Sequence, residues 1–346
     1  MIVFLVVFQT GNPKYYSLLR TLTQWDGQHY LSIARDGYEK LPCGWNPSYI
    51  CGNVGWFPFY PILGKITALT GLDHRFAMIG VTWLSLWAAL LLMFRLISRR
   101  WGETSATIAL VSLLLFPTSF YFLTVFPYAV FLLIALWAFY LLETEKYSLL
   151  ALPCALLAVT YPSGAVIGLP VGWVLIRNWK KLSAKNRLAL LMSMFAIGLA
   201  LFLYCVYYWW RFGDFFLYLH FQSQSYYAHQ AAIPLLTIVR TLRDFPVDNP
   251  VSLILMFVTI ATILFYTRRI PVSWQIFMFG ILLFTPTLGT TDCYYRHVIV
   301  AWPLFAMIGL AFRHRWRRYV LILYAIASVI LTWQVFLPAY KAGRLM

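Results

Sequence analysis

Of the 346 residues, 62% are hydrophobic and only 11% charged, far below the quarter of charged residues usual in soluble domains. That balance excludes an ordinary soluble domain and predicts one integral membrane domain over residues 1–346. The net charge of +16 lies in short basic segments abutting apolar runs, where it orients spans and meets anionic lipid headgroups, so it calls for no nucleic-acid partner.

The chain begins with Met1 to Phe8, eight apolar residues before Thr10, Gly11, Asn12, Pro13 and Lys14, which is half a span at most. It has neither the basic start nor the small-residue cleavage site of a signal peptide, and a first helix upstream of Met1 is expected. Residues 23–75 follow as a first polar segment, opening on Trp25-Asp26-Gly27-Gln28-His29-Tyr30. Gly27 to Asp36 reads as a short helix with Asp26 as N-cap and Gly37 as its stop, and Thr23 to Asp26 also fits a weak capping pattern. A capping aspartate needs no catalytic role. Capping does not call, however, for Trp25, His29 and Tyr30 crowding the same turn, and a carboxylate beside aromatic rings at a membrane interface is placed to grip a sugar and take a proton from its hydroxyl. Cys43 and Cys51 sit further along, where an oxidising compartment would permit a disulfide. Trp56 to Pro61 reads either as interfacial belt or as the rigid wall of a lipid groove.

Runs of about 20 apolar residues cross some 30 Å of hydrocarbon, and 76–97, 106–125, 188–209, 251–267, 270–287, 294–312 and 319–338 each approach that length. Residues 127–142 form a shorter span. Residues 147–176 are too long for one crossing and are broken near Tyr161-Pro162-Ser163-Gly164, which predicts two short helices meeting near one face. The loops 95–105, 143–147, 177–187, 268–271 and 313–318 hold 15 of the 27 Lys and Arg but only Glu103, Glu143 and Glu145 among the 11 acids. By the positive-inside rule these loops are cytoplasmic. The other acids, Asp26, Asp36, Glu39, Asp73, Asp214, Asp244, Asp248 and Asp292, then fall on the extracytoplasmic or luminal side. Cys154 and Cys205 lie within spans and read as packing residues.

A second outer segment, 210–250, carries His220, Gln222, Gln224, Tyr226, Tyr227, His229 and Gln230 and is the candidate acceptor region. His220 and His229 have no cysteine or paired carboxylate beside them, so no zinc-type site is expected, and no phosphate-binding glycine loop is present. Arg296 and His297 close the outer end of a span beside Asp292, Tyr294 and Tyr295. There the guanidinium either grips a lipid phosphate bidentately or snorkels to the interface.

The string from Trp25 to Tyr30, then Gly37-Tyr38 and Trp56-Phe57-Pro58-Phe59-Tyr60-Pro61, resembles the PIG-V (GPI mannosyltransferase 2) family of GT-C glycosyltransferases and its prokaryotic relatives. The likeness continues weakly through Phe116 to Phe120, Gly213-Asp214 and Tyr295-Arg296. It implies an all-α polytopic GT-C fold with about nine to eleven membrane helices and short interfacial helices in the first outer segment. It also implies transfer of a hexose, typically mannose, from a polyprenyl-phosphate donor to a lipid-linked glycan or other extracytoplasmic acceptor, with Asp26 as the family's acidic residue. Two positions depart: Tyr128 stands where relatives often carry an acid and Tyr161 where they often carry a base, as if an ion pair had been exchanged for aromatic packing. That exchange leaves donor and acceptor identity open.

The expected chemistry is inverting displacement, with Asp26 as general base, Arg296 on the departing phosphate, and Trp25, His29, Tyr30, Trp56 and His297 contacting substrate. The lipid phosphate is a co-substrate, and neither metal nor organic cofactor is expected. The setting is the cell membrane of a prokaryote or the endoplasmic reticulum membrane of a eukaryote, with membrane lipids, donor and glycan acceptor as partners. A polytopic transporter or glycolipid flippase is the alternative, set against the lack of Asp or Glu within the assigned spans and of an internal repeat.

Overall fold

The computed structural model describes residues 18–225, 229–244, 250–266, 269–291, 294–312 and 318–338. The apolar start at Met1 to Phe8, Tyr226, Tyr227, Asp248, Asp292 and the basic run at 313–317 lie outside the described residues. The described chain is predominantly helical. It opens with α1 (Leu18–Leu22) and α2 (Asp26–Asp36), then a hairpin of β1 (Lys40–Cys43) and β2 (Asn46–Gly52), then α3 (Phe59–Ala68). The body of the molecule is α4 (His74–Trp101), α5 (Glu103–Leu115), α6 (Tyr128–Glu143), α7 (Ala151–Ala158), α8 (Gly168–Arg177) and α9 (Ala184–Phe212). It continues through α10 (Leu217–Gln222), α11 (Pro234–Arg243), α12 (Pro250–Tyr266), α13 (Val272–Thr287), α14 (Tyr294–His297), α15 (Pro303–Ala311) and α16 (Arg318–Leu331).

Among the described residues, two helices are long and apolar enough to cross a membrane, α4 with 28 residues and α9 with 29. Both have local start signals: Asp73 Oδ1 accepts the Arg75 N–H at 2.9 Å, and Ser183 Oγ accepts the Asn186 N–H at 3.2 Å. Gly213, in the left-handed region at φ 72°, ends α9, the usual role of glycine there. Both helices also turn large apolar side chains outward, among them Trp83, Leu84, Trp87 and Leu91 on α4 and Leu188, Phe195, Phe202 and Leu203 on α9. A continuous apolar exterior of this kind suits hydrocarbon rather than water.

Several of the other apolar runs form shorter helices than their length in sequence suggests, and proline accounts for the clearest cases. The run 106–125 stops at Leu115 because Phe116, ahead of Pro117, takes an extended conformation, the restriction proline imposes on its predecessor. The run 294–312 is bent by 73° ahead of Pro303. The run 147–176 divides as expected, with α7 ending at Ala158 and a tight helical turn beginning at Pro162. The first polar segment adds a two-stranded antiparallel hairpin to the expected helices, pairing Lys40 with Gly52 and Leu41 with Cys51. Its strands are tied by the disulfide between Cys43 and Cys51, with Cα atoms 5.0 Å apart.

The centre of the bundle is α6, buried along most of its length from Tyr128 to Leu142. Its 16 residues separate two ends by about 24 Å at 1.5 Å per residue. At its end, Glu143 meets Arg100 of α4. Near its start, the Trp83 Nε1–H of α4 donates to the Leu123 carbonyl at 3.0 Å. At that same end Tyr128 reaches Tyr161 and His297. The basic residues of 95–105 and 143–147 therefore gather at the end opposite α2.

Candidate functional site

The first polar segment is seated on the start-side end of α6. Val125 donates its N–H to the Leu22 carbonyl at 2.7 Å, and Phe59 donates to the Val159 carbonyl at 3.0 Å. A Cβ on Gly27 would stand 3.1 Å from the Val125 carbonyl oxygen, so glycine lets the first turn of α2 press against that backbone. Trp25, immediately before α2, holds φ 59° and ψ −133°. A non-glycine residue there stores strain of about 1–3 kcal/mol, and such strain collects where surrounding contacts fix a functional turn.

Asp26 is not the N-cap the sequence suggests. It is the first helical residue of α2; Trp25 occupies the cap position, and no side chain caps the helix. Thr23 does not cap it either, because its hydroxyl donates back to the Leu19 carbonyl at 2.9 Å. The Asp26 carboxylate instead accepts a hydrogen bond from Arg296 Nη1 at 2.8 Å. This ion pair joins positions 270 residues apart, with side chains 23% and 9% exposed. The α2 amide dipoles add a favourable positive end beneath the carboxylate. Arg296 also stands 5.9 Å from the centroid of Phe126, and Thr118 Oγ1 donates to the neighbouring Tyr295 carbonyl at 2.7 Å, which pins α14 in place.

Around this pair lies a shell of aromatic and polar groups. His29 stacks on Trp56 with centroids 3.6 Å apart and planes 13° from parallel. Burial holds the His29 imidazole below its ordinary value, opposed by the nearby Asp26 carboxylate, so the ring is neutral near neutral pH. Tyr30 is buried and packs edge-on against Tyr60. Its phenol is pushed well up by burial and lies within electrostatic reach of Tyr161, Asp26 and Arg296. The Tyr161 hydroxyl meets His297 Nε2 at 3.0 Å and the Tyr128 hydroxyl at 3.3 Å. His297 Nδ1 is buried and has no hydrogen-bond partner among the described residues.

Several sequence expectations therefore converge. Asp26, Arg296, His297, Tyr30, His29, Trp25 and Trp56 belong to one end of the molecule, and Arg296 is a buried ion-pair partner, not a snorkelling anchor. Tyr128 and Tyr161, the two positions that depart from the motif resemblance, touch each other. Phe126 carries no local signal in the sequence, and only the fold brings its ring beside Arg296. The belt reading of Trp56 to Pro61 fails for Phe57 and Tyr60, which are 4% and 0% exposed: the Tyr60 hydroxyl is paired with that of Thr82 at 2.6 Å inside the bundle. Asp36 lies at the far end of α2 in an exposed pair with Arg35.

The second polar segment docks against this rim. Gln224 grips β2 twice, accepting the Ile50 N–H at 2.5 Å and donating to the Ile50 carbonyl at 3.1 Å. Gln222 donates to the Gly55 carbonyl at 3.3 Å, and its other amide atom meets His229 Nδ1 at 2.8 Å. Tyr204 and Tyr208 of α9 donate to the carbonyls of Trp56 and Val54. His220 pairs with Asp214 at 2.9 Å. Among the described residues, no group of three or more His, Cys, Asp or Glu side chains is placed to hold a metal ion.

No protein-family model, curated protein or solved structure matches this chain. The chemistry of the site rests on its own residues: a carboxylate that can accept a proton, a guanidinium that can hold an anion, and aromatic faces that can stack on a sugar ring.

Proposed function

We propose that the protein is a multi-pass membrane glycosyltransferase that moves a hexose, with mannose as the first candidate, from a polyprenyl-phosphate donor to a lipid-linked glycan or other extracytoplasmic acceptor. The observation that carries this reading is the Asp26–Arg296 pair at 2.8 Å, which puts a proton acceptor and a phosphate-binding fork in one half-buried site. The motif resemblance of residues 25–30, 37–38 and 56–61 to the PIG-V family supports it and gives the GT-C fold as its expected architecture. The positive-inside rule supports an extracytoplasmic site, since the basic segments 95–105 and 143–147 lie at the other end of α6.

In this mechanism an acceptor hydroxyl attacks the anomeric carbon as the bond from that carbon to the phosphate oxygen breaks. The configuration inverts, and the hydroxyl proton passes to Asp26. Arg296 shares its planar fork between the Asp26 carboxylate and the leaving phosphate, whose growing negative charge it balances. The stacked His29–Trp56 pair offers an aromatic face to the sugar. The donor reaches the site sideways through the bilayer, which accounts for so greasy an enzyme.

A transporter or flippase is the second reading, favoured by one observation: Arg296 lies on the bent pair α14–α15, and broken helices with ionisable residues mark transport sites. Purified protein in detergent, given polyprenyl-phosphate hexose and a membrane-lipid acceptor, separates the two. Formation of a hexosylated lipid by mass spectrometry, with no gradient present, is the expected result. No transfer from any polyprenyl-phosphate hexose, together with substrate movement in sealed vesicles, would overturn the enzyme reading.

A further inference from the structure

Away from this site, a groove of about 490 Å³ opens between α4 and α6 on the outer surface of the bundle. Its walls are apolar and aromatic, with Trp87 and Leu91 from α4 facing Leu133 and Trp137 from α6, and Arg95 lines it as well. Trp87, Leu91, Arg95 and Arg99 follow one another at four-residue spacing, which places them along one ridge of the helix. The ridge thus runs from aromatic to aliphatic to two successive guanidiniums. On α6 it is matched by Trp137 and by Tyr140, whose ring centroid lies 5.8 Å from Arg99.

The charges on this ridge are available. Arg100, next to it, is held by Glu143, whereas Arg95 and Arg99 make no ion pair among the described residues, and no acidic side chain lines the groove. Leu91 and Trp87 are 47% and 62% exposed, so the apolar channel is open to its surroundings along its length. Its volume falls in the range of sites that hold one elongated small ligand. An apolar channel that ends in two cations at one end only is complementary to an amphiphile with one anionic head.

We propose that this groove binds one anionic phospholipid, with an acyl chain between Trp87 and Trp137 and its phosphate on Arg95 and Arg99. The cationic end is the Glu143 end of the bundle, where the basic residues of 95–105 and 143–147 lie, so the lipid belongs to the cytoplasmic leaflet. The proposal rests on the membrane-spanning reading of α4 but not on sugar transfer.

Native mass spectrometry of the full-length protein in detergent, titrated with phosphatidylglycerol or phosphatidylcholine, tests it. One phosphatidylglycerol is expected to be retained about thirtyfold more tightly than phosphatidylcholine, the scale of two guanidiniums at a net anionic headgroup. The double variant Arg95→Gln, Arg99→Gln is expected to lose that preference, and Leu91→Trp, which fills the channel and keeps the charges, to weaken retention of both lipids. Equal retention of the two lipids by the wild type, an unchanged preference in the double variant, or stronger retention of a polyprenyl phosphate than of phosphatidylglycerol would each overturn the proposal. Transfer activity of the double variant in detergent is expected to match the wild type, so failure here is distinguishable from failure of the enzymatic reading.

Discussion

At one end of α6, Glu143 is engaged through both oxygens, by Arg100 and by the Trp274 Nε1–H at 3.1 Å; beyond the other end, Asp26 is bonded to Arg296 through a single oxygen. Arg100 also stands over the Trp274 ring at 5.7 Å, so the first pair closes on itself and fastens α4, α6 and α13 together. The second pair is more deeply buried on its cationic side and sits among stacked rings, a strained turn and a histidine nitrogen that has no partner among the described residues. A carboxylate anchored at both oxygens by two other helices holds those helices; one bonded through a single oxygen beside a cation has its second oxygen left to accept a proton. The Glu143 pair ties helices together, and the proposed transfer concerns the Asp26 end.

The largest effect expected from breaking this contrast is at the Tyr128–Tyr161 contact. Tyr128→Glu or Tyr161→Arg alone puts one uncompensated charge in the buried interior and should lower stability by about 3–5 kcal/mol, read as loss of folded protein on size-exclusion chromatography. The double variant should recover much of that loss, because the charges would then be partners. Equal failure of single and double variants would count against the exchange of an ion pair for aromatic packing.

Next in size is Arg296→Lys. One ammonium cannot reproduce a planar fork, and apparent donor affinity should fall about 10- to 100-fold, the scale of a charge-assisted contact. Acceptor affinity should change little. Equal losses in both titrations would remove Arg296 from the donor side.

Glu143→Gln sharpens the contrast from the structural end. Arg100 and Glu143 are partly exposed, at 44% and 21%, so the loss should be about 1 kcal/mol, seen as a small drop in melting temperature with unchanged transfer rate. Impaired transfer in a stable Glu143→Gln protein would erase the distinction between the two ends.

The smallest effect concerns His29. Its imidazole is depressed below 6.5 by burial, so as pH falls through 6.5 the unfolded chain takes up the proton first and stability declines toward the lower folded value. His29→Gln should flatten that part of the stability–pH curve, measured by thermal unfolding between pH 7 and pH 5. An unchanged slope would place the ring in water.

The long helices were legible because the apolar runs 76–97 and 188–209 are of sufficient length; their ends at Asp73, Ser183 and Gly213 came only with the structure. The break at Pro162 was legible too, since a proline cannot donate and limits its predecessor. Helix lengths were overread where Pro117 and Pro303 interrupt continuous apolar stretches, for hydropathy does not register a bend. The hairpin went unread although Cys43 and Cys51 flank Gly44 and Pro47, because two short strands that pack on a distant glutamine leave little periodicity. The acid and the arginine of the site were each visible from their aromatic neighbours, but no local rule pairs residues 270 apart. The Asp26 cap was misread for that reason: a side chain that can cap its own helix bonds elsewhere when tertiary structure brings a cation to it.

The most direct measurement is the transfer rate of Asp26→Asn at wild-type expression, alongside its melting temperature. Asparagine keeps an acceptor for the Arg296 N–H and fits the same first turn, but it cannot take the acceptor proton. The account predicts a fall of about 10²- to 10⁴-fold in rate with the protein still folded and the Tyr161–His297 neighbourhood intact. Transfer within a few-fold of the wild type would contradict it and reduce Asp26 to the anionic half of a structural pair.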